Sequence, residues 1–422
     1  METSNTEVVS DLAPDTGKPL THKVRFALGF ALVSLLGALP ATMGSGVLLP
    51  QVFTSIHGIS AEGALATMNS VSVFFALVAN IVFGALSDVS KFKIGKRTPW
   101  IISGGVISAV GYFITSQSKT LLWIVVGWCI VEIGINALIA PAVAVLSDRI
   151  PENVRGTYSA VYGAATMIGV QLGIFVGGFF LTKLNTGLVL GTIIFLFSGI
   201  ITVLVWPREQ SAENNTKATS VSEILKSFIP PTKNARDFYL ALLGRLTFTL
   251  GCFMIQGFQL LILEKYIHLS VKGAGTAMQI MSIITMITTL LASALSGPLS
   301  DFLHRRKLIV VIACVIIAIG MLVPWIMPTT MGMYIYALLA GLGNGCYMSV
   351  DQALNVDVLP NPQEAGKDLG ILNLSNTLGQ IIAPILTTAF IGMTGGYKGV
   401  FPVAIIFLLV GTVFIMMIRK VK

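Results

Sequence analysis

The chain has 422 residues, of which 54% are hydrophobic and 11% charged, and its mean hydropathy is +0.84. This composition excludes an ordinary soluble domain and predicts an integral membrane protein. The formal net charge of +8 does not indicate a nucleic-acid partner, because 21 of the 27 Lys and Arg residues fall in segments predicted to lie on the cytoplasmic side.

Twelve apolar stretches are long enough to cross a bilayer, since a spanning helix needs about 20 mostly apolar residues. We predict them at 24–50, 63–87, 98–117, 120–147, 156–182, 187–206, 238–264, 273–300, 307–327, 331–357, 367–391 and 399–418. The polar remainder predicts a disordered tail at 1–23, a linker at 207–237 and a short tail at 419–422, which leaves helical domains at 24–206 and 238–418. Both termini are then cytoplasmic, and the plasma membrane is the expected location.

The loop after the second predicted helix has the sequence GALSDVSKFKIGKRTPWI at 84–101. A basic inner loop is common in membrane proteins, but Gly, Asp, Gly, Lys and Arg at this spacing are more specific than a charge count. The loop resembles the cytoplasmic loop signature of the major facilitator superfamily, and IGKRTPWI is similar to its sucrose and glycoside symporter branch. At the end of a helix, Asp88 can pair with a basic residue of a neighbouring helix, and we predict that this pair holds an inner gate shut.

An internal repeat divides the chain into halves. GALSD at 84–88 returns as GPLSD at 297–301, and VLSDRIPENVRG after the fourth helix corresponds to DVLPNPQEAGKD after the tenth. Parallel repeats of this kind place a solute site between the two halves. We therefore predict an all-α membrane protein with 12 transmembrane helices in two pseudo-symmetric six-helix bundles.

Glu132 lies in the middle of the fourth predicted helix, where an acid costs roughly 2.5 to 3.5 kcal/mol on insertion scales. A carboxyl satisfied by a neighbouring helix is the structural alternative. Function is favoured because Asn136, four residues on, extends the same helical face. In the sucrose-carrier type of proton symporter, which this helix resembles, an acid is followed by Asn, Pro and Asp at the steps found here at Asn136, Pro141 and Asp148. The resemblance implies that Glu132 carries the coupled proton, while Val143 stands where the sucrose carriers have Arg.

Neutral amides and hydroxyls at membrane depth suit a polyhydroxylated ligand, because each sugar hydroxyl both donates and accepts hydrogen bonds. Packing between helices is an equally ordinary role for any one of them. The predicted substrate residues are Asn136, Asn69, Tyr158, Tyr162, Gln256, Gln259, Asn344, Tyr347, Asn373, Asn376 and Gln380. The predicted gate and charge network consists of Asp88, Arg97, Asp148, Arg155, Asp301, Arg245 and Asp351. For Arg245, the alternative is a side chain that snorkels to the cytoplasmic headgroups.

The chain has none of the motifs of an intramembrane hydrolase or a nucleotide-driven pump, so we predict neither an enzyme nor a cofactor or metal site. The sequence predicts a secondary active transporter that moves a small neutral polyhydroxylated solute, such as a sugar or glycoside, by proton symport with alternating access. Its partners would be the solute, protons and the lipid bilayer, and a monomer is expected. Proton-coupled efflux of a drug-like or metabolite substrate, and a membrane sensor that does not transport, remain as alternatives.

Overall fold

The structure is a computed structural model that describes residues 23–212, 230–231, 235–303, 305–360 and 365–419. Nearly all of the predicted tails at 1–23 and 419–422, most of the linker predicted at 207–237 and the side chain of Asp301 lie outside the described residues. Within those ranges the chain is helical and contains no β-strand.

Among the described residues, twelve long helices follow one another along the chain, and each overlaps one predicted span. Their bounds are α1 Lys23–Thr54, α2 Ala61–Val89, α3 Thr98–Gln117, α4 Leu121–Arg149, α5 Glu152–Phe180, α6 Leu184–Val205, α7 Arg236–Gln256, α8 Val271–Leu303, α9 Arg306–Ile326, α10 Thr330–Asp357, α11 Ala365–Thr394 and α12 Val400–Met416. Eleven helices of the described chain are long and apolar enough to cross a membrane. α10 has the length, but glycines and polar side chains dilute its apolar content.

The first helix of each half departs from regular α-helical geometry toward the same end of the bundle. α1 contains a π turn at Gly44–Leu48, between Pro40 and Pro50. α7 ends at Gln256, and the chain continues through a short turn and a π turn at Ile262–Tyr266. Proline removes a backbone donor, and widened turns of this kind are often found at functional sites.

The two halves repeat one packing pattern. α1 packs on α5 and α6, α3 on α4 and α6, and α2 on α4. In the same way α7 packs on α11 and α12, α9 on α10 and α12, and α8 on α10. The halves meet along two helix pairs, α2 with α11 and α5 with α8. The two pairs are equivalent, because α2 corresponds to α8 and α5 corresponds to α11. The predicted pair of pseudo-symmetric six-helix bundles is therefore confirmed.

Small residues allow the helices to approach closely. A Cβ on Gly111 of α3 would lie 2.6 Å from the carbonyl oxygen of Gly127 on α4. A Cβ on Gly345 of α10 would lie 2.8 Å from the Cβ of Ala292 on α8. Such contacts drive helix association inside a bilayer, where apolar surface alone gives no preference for protein over lipid.

Most of the Lys and Arg residues that the structure describes lie at one end of the bundle, which we call the basic end. The other end we call the opposite end. At the basic end the first helix of each half binds the last. Arg25 Nε donates to the carbonyl of Val205 at 2.9 Å, and Arg236 Nη2 donates to that of Met417 at 3.3 Å. These bonds satisfy backbone carbonyls that a helix C-terminus leaves without partners.

Candidate functional site

A cavity of about 380 Å³ lies between α5 of the first half and α7, α8, α10 and α11 of the second. One face of α7 forms part of its wall. The residues on that face are three or four positions apart, which is the spacing of a single helical stripe. They are Arg245, Phe248, Thr249, Cys252, Phe253 and Gln256.

Six of the eleven predicted substrate residues line this cavity, and all six belong to the second half. They are Gln256, Gln259, Asn344, Tyr347, Asn376 and Gln380. The carbonyl oxygen of the Asn376 side chain accepts a hydrogen bond from Thr249 at 2.9 Å. The side-chain amides of Gln256, Asn344 and Gln380 make no hydrogen bond to the described protein, and each can therefore donate to and accept from a solute.

The cavity also has an apolar and adaptable part. Phe248 stacks on Tyr347 with ring centroids 3.5 Å apart and the planes 3° from parallel. Four methionines complete this surface, and their flexible thioethers adjust to ligands of different shape. They are Met167, Met281, Met286 and Met348.

A buried ion pair forms the charged part of the wall. Arg245 on α7 and Asp351 on α10 are each 5% exposed, and Nε of Arg245 lies 3.5 Å from Oδ2 of Asp351. Asn355 donates to the same carboxylate oxygen at 2.9 Å. Arg245 thus points into the cavity and pairs there, so the snorkelling alternative is wrong.

Glu132 lies on α4, outside the lining of this cavity. Its side chain is half-buried and has no hydrogen-bond or ion-pair partner among the described residues. Asn136 donates to the backbone carbonyl of Glu132 at 2.9 Å, and Asn80 of α2 donates to the side-chain oxygen of Asn136 at 3.0 Å. The acid therefore lies beside an amide bridge between α2 and α4, with its carboxylate unpaired.

The other predicted substrate residues also lie outside the cavity lining. Tyr158 donates to the backbone carbonyl of Lys23 at 3.2 Å and packs against Phe30, so it joins α5 to the start of α1. Tyr162 packs against the buried apolar cluster near the basic end that contains Phe30 and Tyr158. Asn69 and Asn373 are placed on α2 and α11, the helices through which the two halves meet.

At the basic end of the first half, the structure brings three residues of the predicted charge network together: Asp88, Arg97 and Asp148. Arg97 is 3% exposed and binds Asp88, Ser87 and Asp148, and its Nη2 lies 2.9 Å from the Asp148 carboxylate. Arg155 donates to the carbonyl of Leu146 at 3.1 Å and so caps the end of α4.

The repeated Ser-Asp motif gives corresponding positions in the two halves. Asp88 lies in the last turn of α2, and Asp301 lies in the last turn of α8. Both helices end at the basic end, as the repeat predicts. The gating role of this network remains a prediction.

Contacts at the opposite end join the two halves through Glu62. Its Oε1 accepts from Lys265 Nζ at 2.8 Å and from the Tyr397 hydroxyl at 2.7 Å. Its backbone carbonyl accepts from Thr388 at 3.2 Å. One residue of α2 is thereby bonded to three separate segments of the second half.

Several residues of the site were missed in the sequence although their spacing carries a signal. Ser282, Thr285 and Thr289 of α8 line the cavity at helical intervals. Gln171 on α5 and Gln352 on α10 also line it. Glu62 lies in the first turn of a helix, where an acid is ordinary. Nothing near it in sequence indicates a contact with a lysine and a tyrosine of the other half.

Comparison with known proteins identifies the family that has this architecture. The family model of the Major Facilitator Superfamily matches residues 26–278 and 241–422. A fujikurins efflux protein from Gibberella fujikuroi is 27% identical over 333 residues. The matched part makes up 78% of this chain and 66%, just under two thirds, of that protein.

Solved structures with the same fold are more distant in sequence. A bacterial homologue of the human lysosomal transporter Spinster, in an inward-facing and unoccupied conformation, gives a TM-score of 0.74 at 14% identity and covers 94% of this chain and 97% of its own. A D-xylose-proton symporter gives 0.69 at 17% identity and covers 94% and 98%. The family match over nearly the whole chain and the two repeated six-helix bundles agree: this protein belongs to the major facilitator superfamily, a family of transporters and not of enzymes.

Proposed function

We propose that the protein transports a neutral polyhydroxylated solute, a sugar or a glycoside, in symport with protons. The observation that carries the proposal is the set of unpaired amides around the cavity. Gln256, Asn344 and Gln380 offer donors and acceptors together, which is the pattern that matches hydroxyl groups. A cavity of about 380 Å³ is within the usual size of small-molecule sites.

Glu132 is the proposed proton carrier. A carboxylate near the middle of a membrane helix, half-buried and without a cationic partner among the described residues, is most stable when protonated. Protonation from one side and release to the other would couple the proton to the movement of the halves. Asp351 is less suited to this role because Arg245 compensates its charge.

Alternating access is proposed to use the two interfaces between the halves. Glu62 and its partners hold the opposite end together, so solute would leave or enter this conformation from the basic end. Opening toward the opposite end requires these bonds to break. By the positive-inside rule we propose that the basic end is cytoplasmic. The plasma membrane is the location that we propose for the protein.

A counterflow assay tests the solute class. Purified protein in liposomes loaded with unlabelled solute should take up the labelled form of the same solute transiently. We expect counterflow with one or more neutral sugars or glycosides and none with phosphate esters. A full panel of neutral sugars and glycosides without counterflow, alongside a positive result for an apolar drug, would reject the proposal.

Efflux of a more apolar metabolite is the second candidate. The stacked pair Phe248 and Tyr347, and the four cavity methionines, favour it because such surfaces bind apolar ligands of varied shape. The curated relative is named as an efflux protein. Acidification inside the vesicles distinguishes the two mechanisms. Protons then flow outward, so a symporter should drive the solute out of the vesicles and an antiporter should drive it in.

A further inference from the structure

The Arg245 and Asp351 pair sets the net charge of the cavity. Among the described residues that line the cavity, these two are the ionised side chains, and the others are apolar, amide, thiol or hydroxyl groups. The wall therefore has one positive and one negative charge. A neutral solute can enter such a cavity without leaving a buried charge uncompensated.

We propose that Asp351 determines the charge selectivity of the site: by compensating Arg245, it makes the cavity reject anionic solutes and accept neutral ones. The inference rests on the proposed function, because it concerns the same cavity and names the property of the solute that the cavity selects.

The geometry of the pair supports compensation by charge. Nε of Arg245 lies 3.5 Å from Asp351 Oδ2 and has no hydrogen-bond partner among the described residues. Asn355 holds that carboxylate oxygen at 2.9 Å. Asp351 thus compensates the charge of Arg245 at close range, and Asn355 holds its carboxylate in place.

The Arg245 side chain lines the cavity, so a hydroxyl or a carboxylate oxygen of a solute can approach its positive charge. The guanidinium alone would favour the carboxylate, because charge-assisted hydrogen bonds to Arg are stronger than neutral ones. The carboxylate of Asp351 removes this preference by repelling a second anion. The selection between the two oxygens therefore depends on Asp351.

Asp351→Asn tests this selectivity because it removes the charge and keeps the size of the side chain. The probes are phenyl β-glucoside and phenyl β-glucuronide, which differ in a CH₂OH and a carboxylate group. Equilibrium binding to the purified full-length protein is measured for both. The wild-type protein should prefer the glucoside, and the variant should bind the glucuronide at least about tenfold more tightly than the wild type does.

Two further variants separate the cavity charge from general effects. Asp357→Asn removes an acid of the same helix that pairs with Arg306 at 2.8 Å and does not line the cavity, so glucuronide binding should not change. Arg245→Gln combined with Asp351→Asn restores a neutral wall and should abolish the gain. Gln352→Lys adds a cation at an exposed lining position and should produce the gain even if Asp351→Asn does not fold.

The outcomes distinguish this inference from the proposed function. Failure of the wild-type protein to bind the glucoside would contradict the proposed solute class. The charge inference is judged separately on the variants. It is overturned if folded Asp351→Asn gains no glucuronide binding, if Gln352→Lys gains none where Asp351→Asn does not fold, or if Asp357→Asn gains it equally.

Discussion

The two halves share one helix arrangement and differ in where they hold charged side chains. Arg97 and Asp148 in the first half correspond to Arg306 and Asp357 in the second, each 209 positions further on. Both pairs join the start of a third helix to the end of a fourth. The first pair is more buried: the Arg97 side chain is 3% exposed and that of Arg306 is 33% exposed.

The acids at membrane depth do not follow this symmetry. The residue 209 positions after Glu132 is Gly341, and the residue 209 positions before Asp351 is Ala142. Each costly acid therefore has a small residue at the corresponding place in the other half. Repeated positions hold the bundles together, whereas the positions that break the repeat carry the chemistry proposed for transport.

The largest effect is expected where a buried charge of the second half loses its partner. Arg245→Met should lower the free energy of unfolding by about 3 to 5 kcal/mol, because Asp351 is left buried and uncompensated. Arg306→Met breaks the exposed pair with Asp357 and should cost about 0 to 1 kcal/mol. Denaturant titration of the purified proteins measures both. Equal losses would mean that the two pairs have equivalent roles.

Removing the charge of Glu62, which links the halves, should shift the equilibrium between conformations closed and open at the opposite end. Glu62→Gln weakens the bonds to Lys265 and Tyr397, and a loss of about 1 to 2 kcal/mol changes a population ratio by roughly 5- to 30-fold. Spin labels at His57 and His268, in a background without the native cysteines, report the separation at the opposite end. We expect a longer distance in the variant. Lys272→Gln is the control, and a distance unchanged by Glu62→Gln would contradict the linking role.

Glu132→Gln separates the coupling proposed for the first half from the binding proposed for the second. Counterflow should survive, because the cavity amides are intact. Accumulation driven by an acid gradient should be lost. For a carrier coupled to one proton, each pH unit of the gradient supplies about 1.4 kcal/mol, or a tenfold ratio of solute concentrations, and the variant should lose this contribution. Glu152→Gln, in the first turn of α5, is the matched control. Normal acid-driven accumulation in Glu132→Gln would show that the proton moves elsewhere.

The smallest effect is expected from single amides. Asn344→Ala and Gln380→Ala should each weaken solute binding by about 0.5 to 1.5 kcal/mol, the usual net value of one hydrogen bond. Asn69→Ala, outside the cavity lining, should leave the affinity within error of the wild type. Binding titrations compare the three. An Asn69→Ala loss as large as the other two would place the first half in the site as well.

Most of the fold was predictable because hydropathy and the repeat act over long stretches. The twelve spans and their pairing into two bundles depend on some 20 apolar residues each and on a motif present twice. Single side chains were harder to place. Tyr158 and Tyr347 are both tyrosines on predicted helices, yet one bonds to the start of α1 and the other lines the cavity. Helix rotation decides this, and it is set by packing between elements far apart in sequence.

The crossing contacts were the least predictable part of the site. Glu62 and Lys265 are about 200 positions apart, and neither stands out among the other residues near helix ends. Arg245 and Asp351 were each marked by their cost in a membrane. Their mutual pairing depends on the approach of α7 to α10, and the sequence gives no measure of that distance.

The polar character of α10 has a consequence for the assembly of the protein in the membrane. An Asp opposes insertion by about 2.5 to 3.5 kcal/mol at a helix centre. Asp351 lies in the last third of α10, where it still opposes insertion, and the helix also carries Asn344 and Asn355. Its partner Arg245 belongs to α7, and the helices on which it packs, α8 and α9, also precede it in the chain. During synthesis from the N-terminus, the groups that satisfy α10 are therefore already in the bilayer when it emerges. The order of helices along the chain thus allows a poorly inserting segment to enter the membrane as part of an assembly that is already half formed.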